Sequence, residues 1–105
     1  GSIFRNLTEN SIAYSEGDNI YISLLENNDK WCRIRFEDDG KGVEQKHISR
    51  LFERFYRVDK GRSRQKGGTG LGLAIVKHAV MFHGGTITAT NRPNGGLRFD
   101  FTLCK

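Results

Sequence analysis

Gly67, Gly68, Gly70 and Gly72 fall within six positions and run without a break into the apolar string LAIVKHAV. Removing side chains from the junction of a loop and a helix leaves bare N–H groups beside a partial positive charge, so an anion is stabilised there. Read alone, the string is equally an ordinary flexible loop with a glycine helix start, because isolated glycine patterns match often by chance. Two common phosphate-binding arrangements are excluded. The segment before the glycines is basic coil rather than strand, which is wrong for a dinucleotide fold, and there is no GxxxxGK[ST] string.

The rest of the chain supplies strands and helices around that junction. Residues 3–15 read as a helix with Ile3, Phe4, Leu7 and Ser11 on one face and Asn6, Asn10 and Tyr14 on another, ending near Gly17. IYISLLEN and KWCRIRFED follow as strands joined by the polar NNDK, a β-hairpin pattern. After the turn DDGKG comes a short helix ending in RLFERFYR, then the basic, glycine-rich stretch. In the second long helix Leu71, Ile75, Ala79 and Phe82 share the expected core face, Leu73, Val76 and Val80 widen it, and Gly84 closes it. GTITATN and LRFDFTL finish the chain as two alternating strands around RPNGG. Strands before and after helices, paired mostly antiparallel, predict an α+β two-layer sandwich with helices over one face of the sheet.

Composition narrows the function classes. At 105 residues the chain is long enough for one core, and no apolar run or leader pattern predicts a membrane span or export, so a cytoplasmic setting is expected. Gly1 and Ser2 are set aside as a cloning remnant. Cys32 and Cys104 lack metal-ligand spacing and are expected to be free core thiols. The net charge of +5 favours an anionic partner, and the cations concentrate in residues 54–66, where Asp59 is the single acid. Nucleic acid would use those charges, but it would not need the two sites described next.

The first is Asp38-x-Gly40-x-Gly42 at the end of an apolar strand. A carboxylate there accepts a hydrogen bond from an exocyclic amine, and the glycines open room for a flat ring; an ordinary Asp-Gly turn has the same letters. The second is Asn6 and Asn10, four apart and so on one helix face, whose amide oxygens are hard ligands suited to Mg²⁺.

In order along the chain, NLTENSIAYS resembles the N box, DDGKG the first glycine box, LFERFYR the F box and GGTGLGLAIVK the second glycine box of bacterial sensor histidine kinases, over residues 6–103. The resemblance implies the Bergerat sandwich of the GHKL superfamily, shared with type II topoisomerases, a heat-shock chaperone family and mismatch-repair ATPases. It implies one catalytic and ATP-binding domain over residues 3–105, truncated at its N-terminus by the loss of a strand and part of a helix. Asn10 would hold Mg²⁺ and Asn6 would lie near the phosphates. Asp38 would bind the adenine amino group in a pocket shaped by Gly40, Gly42 and Val43, with Tyr14 beside the nucleotide. Arg57 would face the terminal phosphates, joined by Lys60. Gly68, Thr69, Gly70, Leu71 and Gly72 would line the triphosphate. Phe52 and Phe55 would anchor a mobile lid formed by residues 60–66.

Asn6 stands where the ATPase relatives carry a water-activating glutamate, so the implied reaction is transfer to a protein histidine rather than hydrolysis. None of His47, His78 and His83 is followed by an acidic residue, so all three are read as structural. The implied partners are the dimerisation and phospho-acceptor domain of the same kinase and a response regulator, and the implied parent is a membrane-anchored homodimer. Ala13 replaces the family's Lys or Arg, and Leu97 its Thr or Ser. These departures keep open a regulatory module that holds nucleotide without transfer, or an ATP-hydrolysing relative.

Overall fold

A computed structural model describes residues 2–56 and 72–105. The elements are α1 (Ser2–Tyr14), β1 (Ile20–Asn27), β2 (Trp31–Asp38), α2 (Gln45–Ile48), α3 (Gly72–Phe82), β3 (Ile87–Asn91) and β4 (Leu97–Cys104). The strands form one sheet in the order β1-β2-β4-β3, and every neighbouring pair is antiparallel. Both hairpins stand where alternation in the sequence puts them. The first is closed by Asn28, whose side-chain oxygen accepts from the N–H groups of Lys30 (2.9 Å) and Trp31 (3.0 Å).

Alternation sorts each strand into two faces. On the helix side Phe36 pairs with Phe99, Phe99 with Ala89, and Ile34 with Phe101, so the aromatic rings of β2 and β4 make the middle of the core. The opposite side carries charge, where Arg35–Asp100 (2.8 Å) and Arg98–Glu37 (3.1 Å) link the neighbouring strands β2 and β4, and Arg92 of the β3–β4 turn reaches Glu37 (3.0 Å). Helix α1 lies on the core through Ile3, Leu7 and Ser11, with Phe4 edge-on to Phe101 at 5.8 Å between ring centres, and it packs along α3. The helix layer stops short of β1. Ile22 and Leu24 point to the same side as Phe36 and Ile34 yet remain exposed.

Three expectations are corrected. The buried face of α3 is Leu73, Val76 and Val80, while Ile75 and Phe82 are 45% and 81% exposed and Leu71 lies outside the described residues. This helix is apolar nearly all round, so periodicity offers two candidate faces and only packing on α1 and the sheet chooses between them. The short helix before the basic stretch is a single turn, Gln45–Ile48. Beyond it the chain continues in i to i+3 hydrogen bonds, Arg50 to His47, Glu53 to Arg50 and Tyr56 to Glu53, a tighter winding that lets Leu51 and Phe52 both reach the core. Both cysteines are free as expected, but Cys104 is exposed and Cys32 half-buried, so neither is a core thiol. Helix α3 does end as read. Gly84 has φ +73°, Gly84 donates to Met81 (2.9 Å) and Gly85 to Val80 (3.0 Å), the paired bonds of a Schellman cap.

The face assignment has a direct check by urea unfolding. Leu7→Ala, at a fully buried site, is expected to lower stability by about 2–5 kcal/mol. Ile75→Ala is expected to change it by less than about 1 kcal/mol, because nearly half of its surface is in water and it lies off the buried face. A larger loss for Ile75→Ala than for Leu7→Ala would reverse the assignment.

Candidate functional site

Asp38 ends β2 with its side chain 3% exposed, on the core side of the sheet. Its carboxylate is met from three directions. Oδ1 accepts from the N–H of Gly40 (3.0 Å) and of Leu97 (3.1 Å), and Oδ2 accepts from the Ser11 hydroxyl of α1 (3.2 Å). Its main-chain oxygen accepts from Arg92 Nη1 at 2.8 Å. A buried carboxylate is tolerated because these donors replace water.

The glycines around it are where backbone must come close. A Cβ on Gly40 would strike the Ser15 carbonyl, and one on Gly96, with φ +98°, would strike the Asp38 carbonyl. At Gly42 (φ +68°) a Cβ would lie 2.6 Å from the Asn91 side chain. Asn91 clamps the next residue, accepting from Val43 N–H (3.0 Å) and donating to Val43 C=O (2.6 Å). The segment that follows Asp38 is therefore held at Gly40 by Ser15, the residue after α1, and at Gly42 and Val43 by Asn91 at the end of β3.

The loop between α1 and β1 is tied to the same corner. Asp39 Oδ1 accepts from the N–H groups of Asn19 and Asp18, both at 2.8 Å, and Oδ2 from the Asn19 amide at 2.9 Å. Those bonds, Asn19's first, hold the Asp39 carboxyl below the ordinary carboxylate range.

Helix α1 joins this corner to the start of α3. A Cβ on Gly72 would lie 3.7 Å from Asn6 Oδ1. One turn on stands Asn10, and a further turn on Tyr14, both half-buried. Ser15 then contacts the other end, its carbonyl accepting from Lys41 N–H at 2.8 Å. Asn6 and Ser15 are about 13 Å apart along the axis at 1.5 Å per residue. Arg57, Lys60, Gly68, Thr69, Gly70 and Leu71, with the rest of residues 57–71, lie outside the described residues. Phe52 packs edge-on to Phe99 (6.0 Å) and under Lys77 (5.9 Å), whereas Phe55 is exposed with φ +65° and packs into no core. Among the described residues no group of three or more His, Cys, Asp or Glu could hold a metal, and no helix is long and apolar enough to cross a membrane.

The description "Histidine kinase-, DNA gyrase B-, and HSP90-like ATPase" matches residues 1–105. The chain belongs to this ATPase family. Family relatives include the sensor histidine kinase WalK of Bacillus subtilis, 41% identical over 96% of this chain and 17% of its own length. They also include the signal transduction histidine-protein kinase BaeS of Escherichia coli, 44% identical over 96% of this chain and 22% of its own length. The chain thus spans about a fifth of the length of these curated relatives. Among solved structures, the mycobacterial sensor histidine kinase MprB has the same fold, with a TM-score of 0.79 at 24% identity over 98% of this chain and 70% of that one. The ATP-binding domain of PrrB from Mycobacterium tuberculosis gives 0.72 at 26% identity, over 98% and 63%. Full-length ShkA in complex with AMPPNP gives 0.76 at 26%, over 97% and 20%.

Some of the corner escapes sequence reading. RPNGG reads as a turn, yet it supplies Arg92 and Gly96 to Asp38, and the adjoining Asn91 reads as strand while its side chain holds Val43. The one available signal was the pair Gly95-Gly96, in excess of what a tight turn needs.

Asp39 provides a pH test with a fixed sign. A carboxyl whose folded-state pKa is depressed adds stability that is fully present above its unfolded value and is lost as pH falls through the folded one. The stability difference between wild type and Asp39→Ala, from urea midpoints, is therefore expected to shrink as pH falls through and below the carboxylate range. A difference independent of pH would show that Asp39 acts through packing alone.

Proposed function

We propose that residues 3–105 are the ATP-binding catalytic domain of a two-component sensor histidine kinase. The observation that carries this reading is the buried, acceptor-only carboxylate of Asp38 at one end of α1, with Asn6 beside the start of α3 at the other. A nucleoside triphosphate has that bipolar form: a flat base bearing an N–H donor, and a polyanion. Asp38 accepts from the exocyclic amine of adenine, and Gly40, Gly42 and Val43 border the ring. Tyr14 lies beside the nucleotide. Gly72, with Gly68, Thr69, Gly70 and Leu71 before it, supplies N–H groups to the phosphates, favoured by the positive end of α3. Arg57 and Lys60 add cationic charge toward the terminal phosphate.

The donor chemistry also fits Mg²⁺. Asn10 presents a hard amide oxygen, and Mg²⁺ commonly takes few protein ligands and completes its shell with phosphates and water. When bound, the ion neutralises phosphate charge. Phosphoryl transfer depends on positioning and charge neutralisation more than on covalent help, so these groups suffice for the domain's share of the work. The γ-phosphoryl group passes from ATP to an imidazole nitrogen and ADP leaves. Asn6 is an amide and no general base, so activation of water is disfavoured and the acceptor is a histidine on a separate dimerisation domain, which hands the group to a response-regulator aspartate. The relatives' names as sensor and signal-transduction histidine kinases support the kinase reading, and with it we propose a membrane-anchored, homodimeric parent whose catalytic domain is cytoplasmic.

Calorimetric titration of Mg²⁺-ATP is expected to show saturable binding that Asp38→Asn weakens by about ten- to a hundredfold, since hydrogen bonds to charged groups contribute about 1.5–3 kcal/mol. No binding by a folded wild-type chain would sink the proposal. Phosphotransfer is checked by adding a cognate dimerisation hairpin with radiolabelled ATP. Label on its histidine, lost on Asn10→Asp, supports kinase activity, and steady ATP hydrolysis with no label supports the ATPase alternative.

A further inference from the structure

The Asp38 carboxylate has about four lone-pair positions. Among the described residues, the protein occupies three: two on Oδ1 through the Gly40 and Leu97 N–H groups, and one on Oδ2 through the Ser11 hydroxyl. The two Oδ1 bonds come from main chain and fix where that oxygen lies. Because the carboxylate is planar, they also set the plane in which Oδ2 lies, but they leave both lone pairs of Oδ2 open. The Ser11 bond takes one of those two and adds a restraint on the second oxygen itself. Ser11 is itself only 4% exposed, and its side chain sits on the first helix rather than in the glycine turns.

We infer that Ser11 is a positioning residue for purine recognition. By donating its hydroxyl proton to Asp38 Oδ2, it occupies one lone pair of that oxygen, steadies it, and leaves the other lone pair for the ligand's exocyclic amine. This rests on Asp38 binding the base as proposed above. The hydroxyl has one proton. Its other neighbour, Ser15 Oγ at 3.5 Å, is at the edge of hydrogen-bond range, whereas the carboxylate at 3.2 Å is the charged and stronger acceptor. The ionised carboxylate has no proton to donate, so the ligand must bring the N–H to the position Ser11 leaves open. A ring carrying an amine is accepted, and a ring with hydrogen at that position gains nothing from the arrangement. Ser11 also follows Asn10 directly on α1, so the helix that presents the metal-suited amide also steadies the base-binding carboxylate. The two ends of the ligand site therefore share one rigid element.

The test separates orientation from mere structural support by comparing two ligands. ATP and purine riboside triphosphate, which has hydrogen in place of the amine, are titrated with Mg²⁺ into wild type, Ser11→Ala and Ser11→Thr. Alanine is a better helix former than serine and keeps α1 intact, which thermal unfolding verifies. Ser11→Ala is expected to weaken ATP by about tenfold, while purine riboside triphosphate stays within about twofold of wild type. Ser11→Thr, which keeps the hydroxyl, is expected to restore the preference for the amine. Equal weakening of both ligands would make Ser11 a structural residue and overturn the inference, as would unchanged ATP binding in Ser11→Ala. Wild type that binds both triphosphates equally would overturn the base-binding role of Asp38 and this inference with it. Wild type that favours ATP by an amount Ser11→Ala does not alter would overturn the inference alone.

Discussion

A buried negative charge organises this molecule. Asp38 is nearly sealed from water, and an ionised carboxylate survives there only if the fold brings donors to it. Four separate parts of the chain answer that demand: α1 through Ser11, the turn after β2 through Gly40, the start of β4 through Leu97, and the β3–β4 turn through Arg92 on the neighbouring carbonyl. Each donor fixes the position of the element that carries it. The requirement for close backbone approach at Gly40 and Gly96 follows, because any side chain there would push a donor segment away. What stabilises the corner also shapes it for a ligand, since the described residues leave one acceptor position of the carboxylate unfilled.

Much of this was legible from the letters, and for identifiable reasons. The hairpin strands read correctly because β-branched and aromatic residues alternate with charge, and charge on one face of a sheet cannot go inward unpaired. The inward side of α1 was equally plain, since Asn6, Asn10 and Tyr14 leave a single apolar stripe of Ile3, Leu7 and the small Ser11. Asp38 and its two following glycines stand together as the turn chemistry implied. Failure came where local pattern was degenerate. In α3 the strings Leu73-Val76-Val80 and Ile75-Ala79-Phe82 are equally apolar, and the choice between them depends on contacts with α1 that no window along α3 contains. The segment around Leu51 and Phe52 has helical letters, but two core contacts within one turn tighten its winding. The roles of Arg92 and Asn91 were invisible, and that of Gly96 only hinted at by the glycine pair, for a third reason: their partners lie about fifty residues away in sequence.

The strand order β1-β2-β4-β3 has a consequence for how the domain comes into being. A ribosome delivers β1 and β2 early, and they can pair at once as a local hairpin. Phe36, however, finds its partner Phe99 only when the last strand in chain order has slotted between β2 and β3. Until then the middle of the sheet is missing, the aromatic core has one wall, and Asp38 lacks the Leu97 donor. Pairings between distant segments form slowly because their loop must be closed before any contact rewards it. The Asp38 corner is therefore completed only after β4 has been made, and until then the half-made sheet holds apolar surface open to misassociation.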